Sequence, residues 1–234
     1  MEVKLISVTQ PQVSAPDRAP LSAEDIIAYC ARVSNPKNQN NTETAPKLLK
    51  FLIKNKHWSP FELASMCVEI KTSRAIAAQI LRHRSFSFQE FSQRYSLAQK
   101  LEPLELRKQA EKNRQSSTDV TDPVLTEDYK NVPASVAVAQ HVLGGVKLYD
   151  ELIKAGVAKE SARMVLPLVT ETTMYMNGTV RSWIHYIQLR TEGNTQKEHR
   201  DIANEIKSIF IQQFPNISIA LNWHGPLGEG AERE

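Results

Sequence analysis

"ASMCVEIKTSRAIAAQILRHR", residues 64–84, changes its periodicity halfway along. Met66, Val68 and Ile70 alternate with Cys67, Glu69 and Lys71, the period of two expected of a half-buried strand. Ile76, Ile80 and Leu81 then recur at helical spacing. This predicts a strand near 64–72 running into a helix over 73–84, with Arg82, His83 and Arg84 in the last turn. Pro60, just upstream in "HWSPFE", stops any helix from entering the strand.

Working outward towards the N-terminus, "EVKLISV" at 2–8 fits a first strand and "TQPQVSAPDRAP" at 9–20 a loop. Ser22 and Asp25 have capping-box spacing at the start of a helix over 23–33, which ends at the turn "SNPKNQNN". A second helix over 44–56 gathers Leu48, Leu49, Leu52 and Ile53 on one face, with basic residues near its end. Towards the C-terminus, the polar segment 102–133 has few apolar anchors and is expected to form a mobile helix and loop on the surface. A long helix over 134–153 follows, in which Gly144 and Gly145 either weaken the helix or permit close packing. Then come a short helix at "KESARMVLP" (159–167), a strand at "LVTETTMYM" (168–176) and a helix over 179–190. Thr195 and Glu198 have the spacing to box the start of the amphipathic helix 195–214, and the tail 225–234 is expected to fray. Helices dominate and the strands do not alternate strictly with them, so the class is α+β in a single domain over 1–234.

The chain has 234 residues, 41% hydrophobic and 24% charged, which suffices for one sizeable core. With 29 Lys and Arg against 26 acidic residues, the net charge of +3 argues against wholesale binding of a nucleic-acid backbone. Cys30 and Cys67 lie far apart with no paired-cysteine pattern, as for two buried thiols in a reducing compartment. The start lacks a charged head followed by an apolar run, and no apolar stretch would span a bilayer, so a cytoplasmic protein is expected. The histidines show no metal-binding spacing.

Positive charge is instead concentrated locally. "RHRSFSFQEFSQRY" (82–95) combines Arg82, Arg84 and Arg94 with Ser85, Ser87 and Ser92, a donor set suited to phosphate oxygens. Glu90 would repel phosphate but can accept from a ribose hydroxyl or a ring N–H, which points to a nucleotide. Composition alone leaves two other readings open: a solvated basic helix end with Phe86, Phe88 and Phe91 packed beneath, and a single-stranded nucleic-acid platform.

Order and spacing decide between them. The stretch resembles the RHRxxSxNxxSxRY signature of the flavin-dependent thymidylate synthases, matching at Arg82, His83, Arg84, Ser87, Ser92, Arg94 and Tyr95, with Gln89 in place of Asn. "ARVSNP" (31–36), "HWSPFE" (57–62), "NRQSS" (113–117), "ESARMVLP" (160–167) and "TVRSWIHYIQLR" (179–190) follow the family's order as well. The resemblance implies conversion of dUMP to dTMP, with methylenetetrahydrofolate giving the carbon, FAD the hydride and NADPH reducing the flavin. It also implies a mainly antiparallel curved sheet with helices, in a homotetramer that shares its sites between subunits. Carried over, Arg82, His83, Arg84 and Ser59 would hold FAD, with His57 near flavin and folate. Gln79, Glu90, Ser92, Gln93, Arg94 and Arg163 would bind dUMP, Arg82 contributing, with Ser92, Arg94 and Arg163 on the phosphate and Glu90 either facing the ribose or lying between nucleotide and flavin. The second flavin segment, NxRxxxH, keeps Arg181 and His185 but has Thr179 for Asn; Thr179 can also cap the helix. Arg190 would activate the uracil by stabilising a ring anion, with no cysteine nucleophile. The alternatives are a catalytically lapsed nucleotide- or RNA-binding homologue and, more weakly, a cysteine-dependent synthase.

Overall fold

The computed structural model describes residues 1–13, 21–94 and 100–223. In chain order the elements are β1 (Glu2–Val8), α1 (Ala23–Ala31), α2 (Ala45–Lys54), β2 (Ser65–Ser73), α3 (Arg74–Ile80) and β3 (Ser87–Glu90). Four short strands follow, β4 (Arg107–Gln109), β5 (Ser117–Val120), β6 (Val124–Leu125) and β7 (Val132–Pro133). The chain then runs through α4 (Ala134–Lys154), α5 (Lys159–Ala162), β8 (Glu171–Thr179), α6 (Val180–Arg190), α7 (Lys197–Gln213) and α8 (Pro215–Ala220). The class is α+β.

A four-stranded antiparallel sheet in the order β1-β2-β8-β3 carries the core. Alternation on β2 puts Met66, Val68 and Ile70 on the buried face, and register with β8 lays Met174 and Met176 beside them. Trp183, Tyr186, Ile187, Ile206 and Phe210 of α6 and α7 belong to the same buried cluster. Met66 sits opposite Gly178, where a Cβ would come within 2.4 Å of the Phe86 ring. Only glycine there lets Phe86 lie over the sheet, edge-on to Trp183 at 4.6 Å. Gly145 likewise admits close packing, since a Cβ would meet the Val165 carbonyl at 3.0 Å, whereas Gly144 faces open space. Glu24, buried in α1, accepts from the backbone N–H groups of Asn216 and Ile217 and so caps the start of α8.

Several expectations from the sequence need correction. The helix after β2 stops at Ile80, so Arg82, His83 and Arg84 lie in a turn, and the connection beyond them forms strand β3, paired to β8 from Ser87 opposite Asn177. The alternation of Phe86 and Phe88 that enables this was hidden by the polar residues between them. Segment 102–133 contains no helix among its described residues; it folds into the two-stranded ribbons β4-β5 and β6-β7. The Ser22–Asp25 capping box forms, but Thr195 does not cap α7, because its hydroxyl donates to the Leu189 carbonyl at 3.3 Å. Tyr95 and the tail 225–234 lie outside the described residues.

Candidate active site

Three groups of side chains surround the segments singled out in the sequence. The first forms where α3 and α6 end. The turn after Ile80 is closed by backbone bonds from Arg82 N to Gln79 O at 3.3 Å and from His83 N to Ile80 O at 3.1 Å. It leaves Arg82 and Arg84 exposed and turns His83 inward against Tyr186, whose ring centroid is 4.9 Å away. His83 Nε2 accepts from Arg190 Nε at 2.9 Å. Burial first, then the neighbouring Arg190, His185 and Arg82, push His83 down to about 4. The imidazole is therefore neutral near pH 7 and free to accept. Among the described residues only Nε of Arg190 is engaged by protein, which leaves both terminal nitrogens for a ligand.

The second group lines a cleft of about 440 Å³ at the start of α6, between Trp58, Glu62, Ser85, Arg181, Ser182 and His185. Thr179 caps α6 by accepting from Ser182 N at 3.3 Å, and its hydroxyl donates to Ser182 Oγ at 3.2 Å. That hydroxyl is thus used within the helix start. Arg181 and His185, one turn apart, both line the cleft, and Arg181 pairs with Glu62 at 2.5 Å. Ser59 begins the short turn Ser59–Glu62 beside Trp58, and His57, exposed, precedes it edge-on to Phe51. An aromatic wall, a guanidinium, an imidazole and hydroxyls together form a donor set that fits a flavin with its ring carbonyls and phosphates. FAD therefore suits the residues present.

The third group gathers acids and arginines. Glu90 Oε1 accepts from Arg74 Nη1 at 2.8 Å and from Thr172 Oγ1 at 2.9 Å. Arg94 Nη2 lies 3.5 Å from Glu160 Oε2, while Arg163 Nε donates to the Glu160 carbonyl at 3.3 Å. Ser92 Oγ accepts from Arg94 N at 3.4 Å, and Gln93 is buried with its Nε2 unpartnered among the described residues. Arg94 thus meets the Glu160 carboxylate, while Arg163 is held by the Glu160 backbone. Gln79, half-buried at the end of α3, bonds Gln196 and His199.

Sequence reasoning did not single out Arg74, Glu160, Trp58, Glu62, Tyr186, Gln196 or His199. One signal was available: His199 occupies an apolar-face position with Ile202, Ala203, Ile206 and Phe210, so a polar group was marked for burial. Cys30 and Cys67 are free and half-buried, and burial pushes both thiols up, which disfavours a thiolate. Among the described residues, no group of three or more His, Cys, Asp or Glu could hold a metal ion, and no helix is long and apolar enough to cross a membrane.

The family described as "Thymidylate synthase complementing protein" matches residues 19–216. The chain is 53% identical, over 95% of its length and all of the relative's, to a "Probable flavin-dependent thymidylate synthase" of Paramecium bursaria Chlorella virus 1. It is 50% identical, again over 95% of its length and all of the relative's, to the flavin-dependent thymidylate synthase of Synechocystis. A UMP/dUMP methylase, PolB from Streptomyces cacaoi, solved with 5-Br dUMP, superposes with a TM-score of 0.76 over 96% of this chain and 95% of that one, at 22% identity. At that identity the likeness speaks for the fold.

Proposed function

The chain belongs to the flavin-dependent thymidylate synthase family, and on that premise we propose that it methylates dUMP reductively to dTMP, with methylenetetrahydrofolate as carbon donor and NADPH as reductant. FAD, when bound, supplies the hydride. Arg181, His185, Ser59 and the turn Arg82–Arg84 hold it, with His57 close by on the folate side. Arg190 acts on the uracil. Its terminal nitrogens face the N3 and carbonyl edge, where a fixed guanidinium stabilises negative charge on the ring and makes C5 nucleophilic. Neutral His83 receives Arg190 Nε–H and holds the guanidinium in one plane. Ser92, Arg94 and Arg163 take the phosphate, with Glu160 keeping the two arginines together. Glu90, oriented by Arg74 and Thr172, keeps one carboxylate oxygen for the ribose or for the space between nucleotide and flavin.

The observation that carries this reading is the Arg190–His83 pair, together with thiols that burial keeps protonated. A homotetramer with shared sites, in the cytoplasm, is part of the proposal. It is supported by α4, whose 21 residues include only Ala134, Ala137 and Tyr149 as buried positions while Val136, Leu143 and Leu148 stand exposed. Exposure of Arg82, Arg84 and Ser59 likewise suits groups completed by a neighbouring copy.

Anaerobic incubation with FAD, NADPH, dUMP and methylenetetrahydrofolate should yield dTMP by mass spectrometry, and none without flavin. NADPH oxidation without dTMP would instead favour the lapsed homologue and direct attention to Thr179 and Gln89. Arg94→Ala should weaken dUMP binding by about 1.5–3 kcal/mol, the size of a hydrogen bond to a charged group. An unchanged dissociation constant would remove Arg94 from the phosphate site.

A further inference from the structure

A chain of side-chain hydrogen bonds runs from the core beneath Arg190 to the β4-β5 ribbon. His199, fully buried on α7, has Nε2 3.1 Å from the Tyr186 hydroxyl and Nδ1 3.4 Å from Gln79 Oε1. Gln79 Nε2 donates to Gln196 Oε1 at 2.6 Å, and Gln196 Nε2 donates to Glu198 Oε2 at 2.9 Å. The other Glu198 oxygen accepts from Arg107 Nη2 at 2.6 Å. Arg107, nearly buried, also bonds Glu105 at 2.8 Å and Ser117 Oγ at 3.0 Å, so the ribbon clamps the end of the chain.

The charged end sets the direction of every bond. Against its burial, the backbone N–H of Glu198 itself, then Arg107 and Gln196, hold Glu198 below its ordinary range, and an ionised carboxylate can only accept. Gln196 must then turn its amide N–H groups to Glu198 and its oxygen to Gln79. Gln79 must turn an N–H to Gln196 and its oxygen to His199. His199 must therefore carry its proton on Nδ1, and Nε2, left bare, accepts from the Tyr186 hydroxyl. All donors point towards Glu198. Separately, burial and then the Arg190 charge push His199 down to about 3, which keeps the ring neutral.

We propose that His199 is a positioning residue which, with Tyr186 behind it and the Gln196–Glu198–Arg107 clamp ahead, locks the amide of Gln79 so that it meets the nucleotide as a hydrogen-bond donor. With its oxygen held by His199 and one N–H by Gln196, Gln79 presents its second N–H, which suits an acceptor oxygen of the pyrimidine nucleotide. This rests on the reading that Gln79 contacts dUMP. It also gives the ribbon within 102–133 a task, since Arg107 anchors the far end of the lock.

The test joins a spectroscopic readout to a kinetic one. With ¹⁵N-labelled histidine, long-range ¹H–¹⁵N correlation should show His199 as the Nδ1–H tautomer, and Glu198→Gln, which removes the acceptor-only anchor, should give a mixture. An Nε2–H tautomer in the unaltered protein would overturn the lock. His199→Leu should raise the KM for dUMP about tenfold, the weight of one hydrogen bond, with kcat changed less than about twofold. His199→Asn, whose δ-amide N–H stands where Nδ1–H stood, should bring KM back. Equal KM values in the two variants would reduce His199 to a space-filler. Tyr186→Phe, which keeps the His199 ring, serves if the leucine variant does not fold: because the direction is set from Glu198, a retained Nδ1–H tautomer supports the lock and a mixture of tautomers sinks it. Gln79→Ala separates the two layers. An unchanged KM there would remove Gln79 from the nucleotide and leave the tautomer result standing.

Discussion

Helix α6 begins and ends in cations, and the two ends are built differently. At the start, Arg181 and His185 are exposed and line an open cleft, and the partner of Arg181 among the described residues is surface-exposed Glu62. At the end, half-buried Arg190 is bonded to His83, whose ring rests on Tyr186 above fully buried His199. A binding end can stay open, because a large ligand or a neighbouring subunit completes it. An end that must stabilise charge on a reacting ring gains from donors fixed in advance, since reorganisation during the reaction would cost rate. Surface pairs such as Arg181–Glu62 contribute little on their own and give way easily to a ligand.

Breaking the fixed end should have the largest effect. Arg190→Ala is expected to lower the rate of dTMP formation in a single turnover by about 100-fold or more, the usual loss for one preorganised charge-stabilising donor. Flavin content should stay the same, because the role proposed for Arg190 is on the uracil and not on the flavin. Normal turnover would erase the distinction between the ends. Arg181→Ala should do the reverse, weakening FAD about tenfold in a visible-absorbance titration, as for one charge-assisted bond, while dTMP formation at saturating FAD changes little. Equal losses in both assays would mean that the two ends act as one unit.

Smaller perturbations sharpen the picture. Thr179→Ala deletes the cap of α6 and should lower stability in urea by about 1 kcal/mol. A loss of flavin affinity larger than the loss of stability would show that the Thr179 hydroxyl serves the ligand as well as the helix. Cys30→Ser with Cys67→Ser should leave dTMP formation within about twofold, a size typical of substitutions away from special features. Loss of activity in a folded double variant would end the cysteine-free reading.

Legibility differed from place to place. The strand-to-helix switch at Lys71–Arg74 was visible, because β2 buries one face and α3 one stripe, and both patterns are local. Strand β3 was not, since its burial depends on β8 lying beside it and on the space left by Gly178. The ribbons of 102–133 were misread for a similar reason. Their pairing is between short polar stretches, and Arg107 is held from α7 as well as by Glu105 and Ser117. Among the proposed site residues, Arg190, Arg181 and His185 stood out through motif spacing. Arg74 and Glu160, which pair with Glu90 and Arg94, had no local pattern to betray them.

By itself the sequence determined the α+β class, most helices and the family, because periodicity and an ordered set of motifs are properties of neighbouring residues. Only the tertiary structure decided which groups meet. Gln79 and His199, 120 positions apart, share a hydrogen bond, and His83 and Arg190, 107 apart, share another. Such pairings follow from sheet register and helix packing over long loops. The protonation states of His83 and His199 were likewise beyond the sequence, since burial and neighbouring cations set them, and neither exists until the chain has folded.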